Sequence, residues 1–157
     1  MSESTQLGAS IAELTSDVGE MREKRQTEEA WLDDPKGKMM TYAREVAAEY
    51  DMDIDWMEFD FRVSQRTKRH GAVKIEERVG RDPFSDRSWT TTTKEMDVSI
   101  NVLKNHGVEK FKHAIRHELI HVWQYQHTGS MGHGSSFDEW ADQMDVDTYA
   151  TCRADDR

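Results

Sequence analysis

The spacing of apolar residues along the chain changes period twice, and each change marks a different kind of element. From residue 1 to about 30 the chain is polar, yet Leu7, Ile11, Leu14, Val18 and Met21 recur at spacings of 4, 3, 4 and 3, the seam of a short amphipathic helix. Fewer than three heptads make a weak zipper, so the segment reads as a polar tail or a docked helix as readily as a dimer contact. The turn signal DDPKG (Asp33 to Gly37) precedes KMMTYAREVAAEY, whose Met40, Ala43, Val46, Ala47 and Tyr50 share one helical face. The period then drops to two. WMEFDFRV alternates through Phe59, Phe61 and Val63, AVKIEERV through Val73, Ile75 and Val79, and MDVSINV through Met96, Val98, Ile100 and Val102. SQRTKRHG is expected as a hairpin loop between the first two strands, and GRDPFSDRS as the turn before the third. Helical spacing returns with Val108, Phe111, Ile115, Leu119 and Val122, and a closing helix buries Phe137, Trp140, Ala141 and Met144. The expectation is an α+β fold: leading helix, three-stranded sheet, long helix, closing helix. Its domain covers 31–150, flanked by residues 1–30 and a tail at 151–157.

Composition narrows the class. A chain of 157 residues suits one domain with a single core. One cysteine, Cys152, rules out an internal disulfide framework and a paired-CxxC zinc ribbon, and with no acid/base partner adjoining it in sequence it reads as inert. The start, MSESTQLGASIAELTSD, has neither a basic region nor an apolar run, and no segment approaches a membrane span, so a cytoplasmic protein without membrane contact is expected. Thirty-one acidic against 21 basic residues give a net charge of −10. A high-salt cytoplasm would explain that excess, since dense carboxylates hold water and ions screen their repulsion. Asp142, Asp145 and Asp147 lack the spacing and glycine of a calcium loop and read as a solvated face.

Four of the seven histidines lie in HELIHVWQYQHTGSMGHG, from His117 to Gly134. His117 is two residues, and so about 200°, from Leu119 of the apolar stripe, which turns it away from the core. His121, four residues on, stacks above it, and two imidazoles at this spacing can reach one ion. Glu118 points beside that ion rather than onto it, the place for a base acting on water. This HExxH pattern is the signature of zinc metallopeptidases, and one Zn2+ with three protein ligands and an open position is the implied cofactor.

Four residues compete for the third ligand position. His113 is one turn before His117 but about 12 Å along the axis from His121, so one ion cannot hold all three. His127 has the metzincin spacing, but Gln124 stands where that pattern has its helix-breaking glycine. Glu139 has the look of a carboxylate ligand on a second helix, yet Ser136 and Glu139 also read as a capping box that would occupy it. His133, among Gly129, Gly132 and Gly134, has the backbone freedom to fold back beside the first pair, and the flexible flanks favour it.

HELIHVWQ followed by HGSSFDEWA resembles the SprT-like zincin family, which includes the Spartan proteases that act on DNA–protein crosslinks. The resemblance runs from about Met39 to Met144. It implies a zincin-like metallopeptidase domain in which His117, His121 and His133 hold zinc and Glu118 is the catalytic acid/base. It also implies a protein or peptide substrate, with an edge strand at Val98 to Val102 for an extended peptide to pair with. Single-stranded or damaged DNA is the second expected partner. Arg62, Arg66, Lys68, Arg69 and Lys74 form a local run without an intervening acid, with Trp89 expected in the following loop; a solvated hairpin tip explains the same residues. The alternative function is a zinc-binding, DNA-associated regulatory protein with little proteolysis, against which an intact Glu118 argues. A secreted protease of another zincin branch would need a signal peptide.

Overall fold

The computed structural model describes residues 2–147, with side-chain surroundings from Asp17 onward; Cys152 and the tail at 151–157 lie outside the described residues. These residues fall into two compact units that divide between Asp34 and Pro35. In the first, helix α1 (Ser2–Asp33) is 32 residues long, well beyond the short helix expected. Nothing in its sequence stops it until Pro35, which disfavours a helical residue before it. Val18 and Met21 of the expected seam are 51% and 66% exposed, so neither is covered by packing.

The second unit begins with Pro35 as the first residue of helix α2 (Pro35–Glu49), a position where its missing N–H costs nothing. Met39, Ala43, Val46 and Ala47 are its buried face. Met39 thus takes the place expected for Met40, because 39, 43, 46 and 47 follow the i, i+4, i+7, i+8 spacing of one helical face.

Strands β1 (Asp60–Ser64), β2 (Gly71–Arg81) and β3 (Ser88–Ser99) form one sheet in the order β1-β3-β2. β2 and β3 are the antiparallel hairpin expected around GRDPFSDRS, whereas β1 runs parallel to β3. The expected hairpin between β1 and β2 is therefore corrected: residues 65–70 cross the end of β3. β3 belongs in the middle because Met96, Asp97, Val98 and Ser99 are all buried, which only a strand with neighbours on both sides achieves. One face aligns Phe61 with Met96 and Val73, and Val63 with Val98 and Gly71; α2 and α4 pack against the sheet. The other face is polar and carries Arg62, Ser64, Lys74, Glu76, Glu95 and Asp97 around a cleft of about 260 Å3.

The alternation through Ile100 and Val102 does not continue as strand. Ser99 ends β3 and caps helix α3 (Ile100–His106), its Oγ accepting from the Asn101 N–H at 3.2 Å. The proposed substrate strand at Val98–Val102 is thus the end of a central strand followed by a helix, and the free edges of the sheet are β1 and β2. The same corner holds the crossover: Ser99 Oγ donates to Arg66 O, Asn101 Nδ2 donates to the carbonyls of Gln65 and Arg66, and Ser99 N donates to His70 O.

Helix α4 (Val108–Thr128) buries the expected stripe, with Phe111, Ile115, Leu119 and Val122 fully inside. Arg116 Nη1 donates to the Tyr42 hydroxyl at 2.8 Å and links α4 to α2. The helix stops at Gly129, whose φ of 73° is a left-handed conformation that glycine adopts without strain. Helix α5 (Ser135–Met144) closes the unit through Phe137, Ala141 and Met144, and Trp140 meets Trp123 edge-on at 5.3 Å.

Candidate metal centre

His117 and His121 stand one turn apart on α4, and the chain returns through the glycine-flanked turn after Thr128 to bring His133 beside them. Their three Nε2 atoms form a triangle with every side 3.2 Å. Donors bound tetrahedrally at 2.0–2.1 Å from one ion lie about 3.3 Å apart, so the triangle fits a zinc-sized cation and leaves a fourth direction open. Among the described residues these three are the group placed to hold a metal ion.

The surroundings keep the ring nitrogens available. Burial, and then repulsion from His121 and His133, pulls His117 down to about 3. Burial pulls His121 down to about 4, and His133 is lowered for the same reason. All three are neutral at pH 7, the form that donates a lone pair to a metal. The Phe137 ring lies 4.8 to 5.0 Å from all three imidazole centroids and is itself fully buried, so it forms an apolar wall. His117 and His121 are buried although they face away from the apolar stripe, while His133 is exposed.

Glu118, next to His117, is also buried, and its side chain lies against Gly71 at the start of β2. A Cβ on Gly71 would come within 2.7 Å of Glu118 Cγ and 2.8 Å of the Asp97 carbonyl. Burial, then the Asp97 carboxylate, pushes the Glu118 carboxyl up to about 8, with Arg69 and Arg66 opposing. A carboxyl so placed holds and releases a proton near neutrality. Asp97 is buried, pairs through Oδ2 with Arg66 Nε, and leaves Oδ1 without a hydrogen-bond partner among the described residues.

The other candidates for the third ligand have different employment. His113 Nε2 accepts from the Asp147 N–H at 3.1 Å. His127 Nε2 meets Asp53 O at 2.8 Å while its ring stacks on Trp123 at 4.6 Å. Glu139 is exposed on α5, and no capping box forms: Gly134 is the cap, without a side-chain bond, and Ser136 Oγ instead accepts from Gln124.

The basic run is broken up by folding. Arg66 pairs with Asp97 and Arg62 with Glu95 at 3.4 Å, and Lys74 lines the polar cleft beside Glu76 and Glu95. Lys68 and Arg69 are exposed on the crossover. Trp89 is in β3, not in a loop, opposite Gly80; Gly71 pairs with Val98, nine residues and so roughly 30 Å along the strand. Sequence reading missed Gly71 and Asp97, which reach Glu118 from the sheet, and it read Gln124 and Phe137 without a role in the site although one stands three residues after His121 and the other four after His133.

A helix bearing HExxH, packed on a three-stranded sheet and completed by a histidine from the following turn, defines a zincin-like, metallopeptidase-type domain. The profile of the SprT-like family matches residues 41–155, and the chain belongs to that family. No curated protein and no solved structure matches it. No helix among the described residues is long and apolar enough to cross a membrane.

Proposed function

We propose that the protein is a zinc-dependent endopeptidase of SprT-like type, acting on proteins bound or crosslinked to DNA. The observation that carries this reading is the 3.2 Å triangle of imidazole nitrogens with a buried glutamate adjoining it in sequence. Zinc, when held there, supplies Lewis-acid polarisation of a peptide carbonyl and makes water acidic enough to deprotonate near neutrality. The chain supplies the rest. His117, His121 and His133 would hold the ion, Phe137 shields one side from solvent, and Glu118 takes a proton from water and returns it to the leaving amine. An extended substrate would pair with the free edge of β2, whose first residue touches Glu118. Contact with DNA falls first to Lys68 and Arg69, with Arg62, Arg66 and Lys74 already engaged beside acids.

Cleavage of a DNA-bound protein in molar KCl, with and without single-stranded DNA, tests the reading. Wild type should cleave, and Glu118→Gln should retain zinc while losing at least about 100-fold in rate. His133→Ala should lose zinc and His127→Ala should keep it; the reverse pattern overturns the ligand set. A wild type that binds zinc but cleaves nothing would turn the reading to a zinc-binding, DNA-associated regulatory protein. Lys68→Glu with Arg69→Glu should weaken DNA binding, and unchanged affinity would remove the crossover from the DNA contact.

A further inference from the structure

Gln124 is fully buried and makes three hydrogen bonds that join two separate parts of the metal centre. Its Oε1 lies 2.8 Å from His121 Nδ1, and its Nε2 donates to Gly132 O at 2.8 Å and to Ser136 Oγ at 3.0 Å. A backbone carbonyl can only accept, so the amide NH2 must face Gly132, and Oε1 must then face His121. An oxygen opposite Nδ1 requires the proton on Nδ1, and that leaves the lone pair on Nε2, where it meets His117 and His133. The orientation of one amide thus fixes which nitrogen of His121 is free to bind an ion.

The same amide governs the third histidine. His133 is exposed and follows Gly132 in the link of residues 130–134 between α4 and α5. Ser136 stands in the first turn of α5 beside Phe137, the ring that touches all three imidazoles. Gln124 therefore ties the turn before His133 and the helix after it to the helix carrying the first two histidines.

We propose that Gln124 is the positioning residue that assembles the three-histidine site, setting the His121 tautomer and holding the His133 turn in reach. The role rests on the zinc reading above. It is tested by zinc affinity, measured by competition with a chromophoric chelator, and by the visible spectrum of the Co2+-loaded protein, which reports the ligand arrangement. Gln124→Met, similar in length but without amide bonds, should bind zinc about 10- to 100-fold more weakly and alter the Co2+ spectrum, with the helical circular dichroism unchanged. Ser136→Ala, which removes one of the three bonds and leaves the core filled, should lose about two- to tenfold and carries the test should Gln124→Met not fold. Wild-type affinity and spectrum in Gln124→Met, or in Ser136→Ala if only that variant folds, overturn the role. A wild type that binds neither metal overturns the zinc reading, and the role of Gln124 with it.

Discussion

A methyl group on Gly71 would sit 2.7 Å from Cγ of Glu118 and 2.8 Å from the backbone of β3, and only the glutamate can yield. Gly71→Ala should therefore swing the Glu118 carboxyl away while the histidines keep their ion. We expect a loss of at least about tenfold in kcat, zinc content unchanged, and a stability cost of about 1–3 kcal/mol from overpacking. Steady-state kinetics beside metal analysis would check it, and wild-type kcat in the alanine variant would deny the glycine this role. At this scale the histidines and Glu118 were legible because helical spacing and glycine flanks are local properties. Gly71 was not, since it acts across 47 residues of chain, and of the Gln124 bonds only the one to His121 follows helical spacing, those to Gly132 and Ser136 being made across the turn.

Among elements, the period of α4 predicted its buried stripe, and the glycine at 129 predicted its end. The strand order was hidden, because alternation shows that a segment is a strand and not which neighbour it pairs with. The switch from β3 to α3 was written in the chain as a capping serine at 99 and a glycine at 107, but the alternation of Ile100 and Val102 masked it. The crossover that follows β1 ends at His70, whose ring lies 5.8 Å from that of His106 at the end of α3. Burial, then the positive charge of His106 and of Lys110 at the start of α4, lowers its pKa. The unfolded chain takes up this proton near pH 6.5 and the folded chain only at lower pH. The contribution of His70 to stability is thus full above about pH 6.5 and is lost as pH falls below it. Thermal melts from pH 7.5 to 5 should show a shallower decline in His70→Gln than in wild type; parallel curves would refute the assignment.

For the molecule as a whole the net charge of −10 sets the response to salt. Folding concentrates that charge, and added ions screen it over a distance that shrinks from about 30 Å at 0.01 M to about 3 Å at 1 M. Tm should rise between low and molar KCl, and a melting curve that does not rise would remove high salt as the reason for the acidic composition. Charge also shows how far composition alone can be read: the basic run looked unpaired in sequence, and only the register of β3 brought Glu95 and Asp97 beside it. The same register limits β1 to residues 95–99 of β3, so from Lys94 outward the β2–β3 pair is a two-stranded ribbon of roughly 20 Å. Its residues 76–93 are exposed apart from half-buried Gly80 and Asp82, and none belongs to the core. The ribbon tip is consequently the natural splice point in this chain: a guest peptide inserted between Asp82 and Arg87 would lengthen the arm while the imidazole triangle stays as it is.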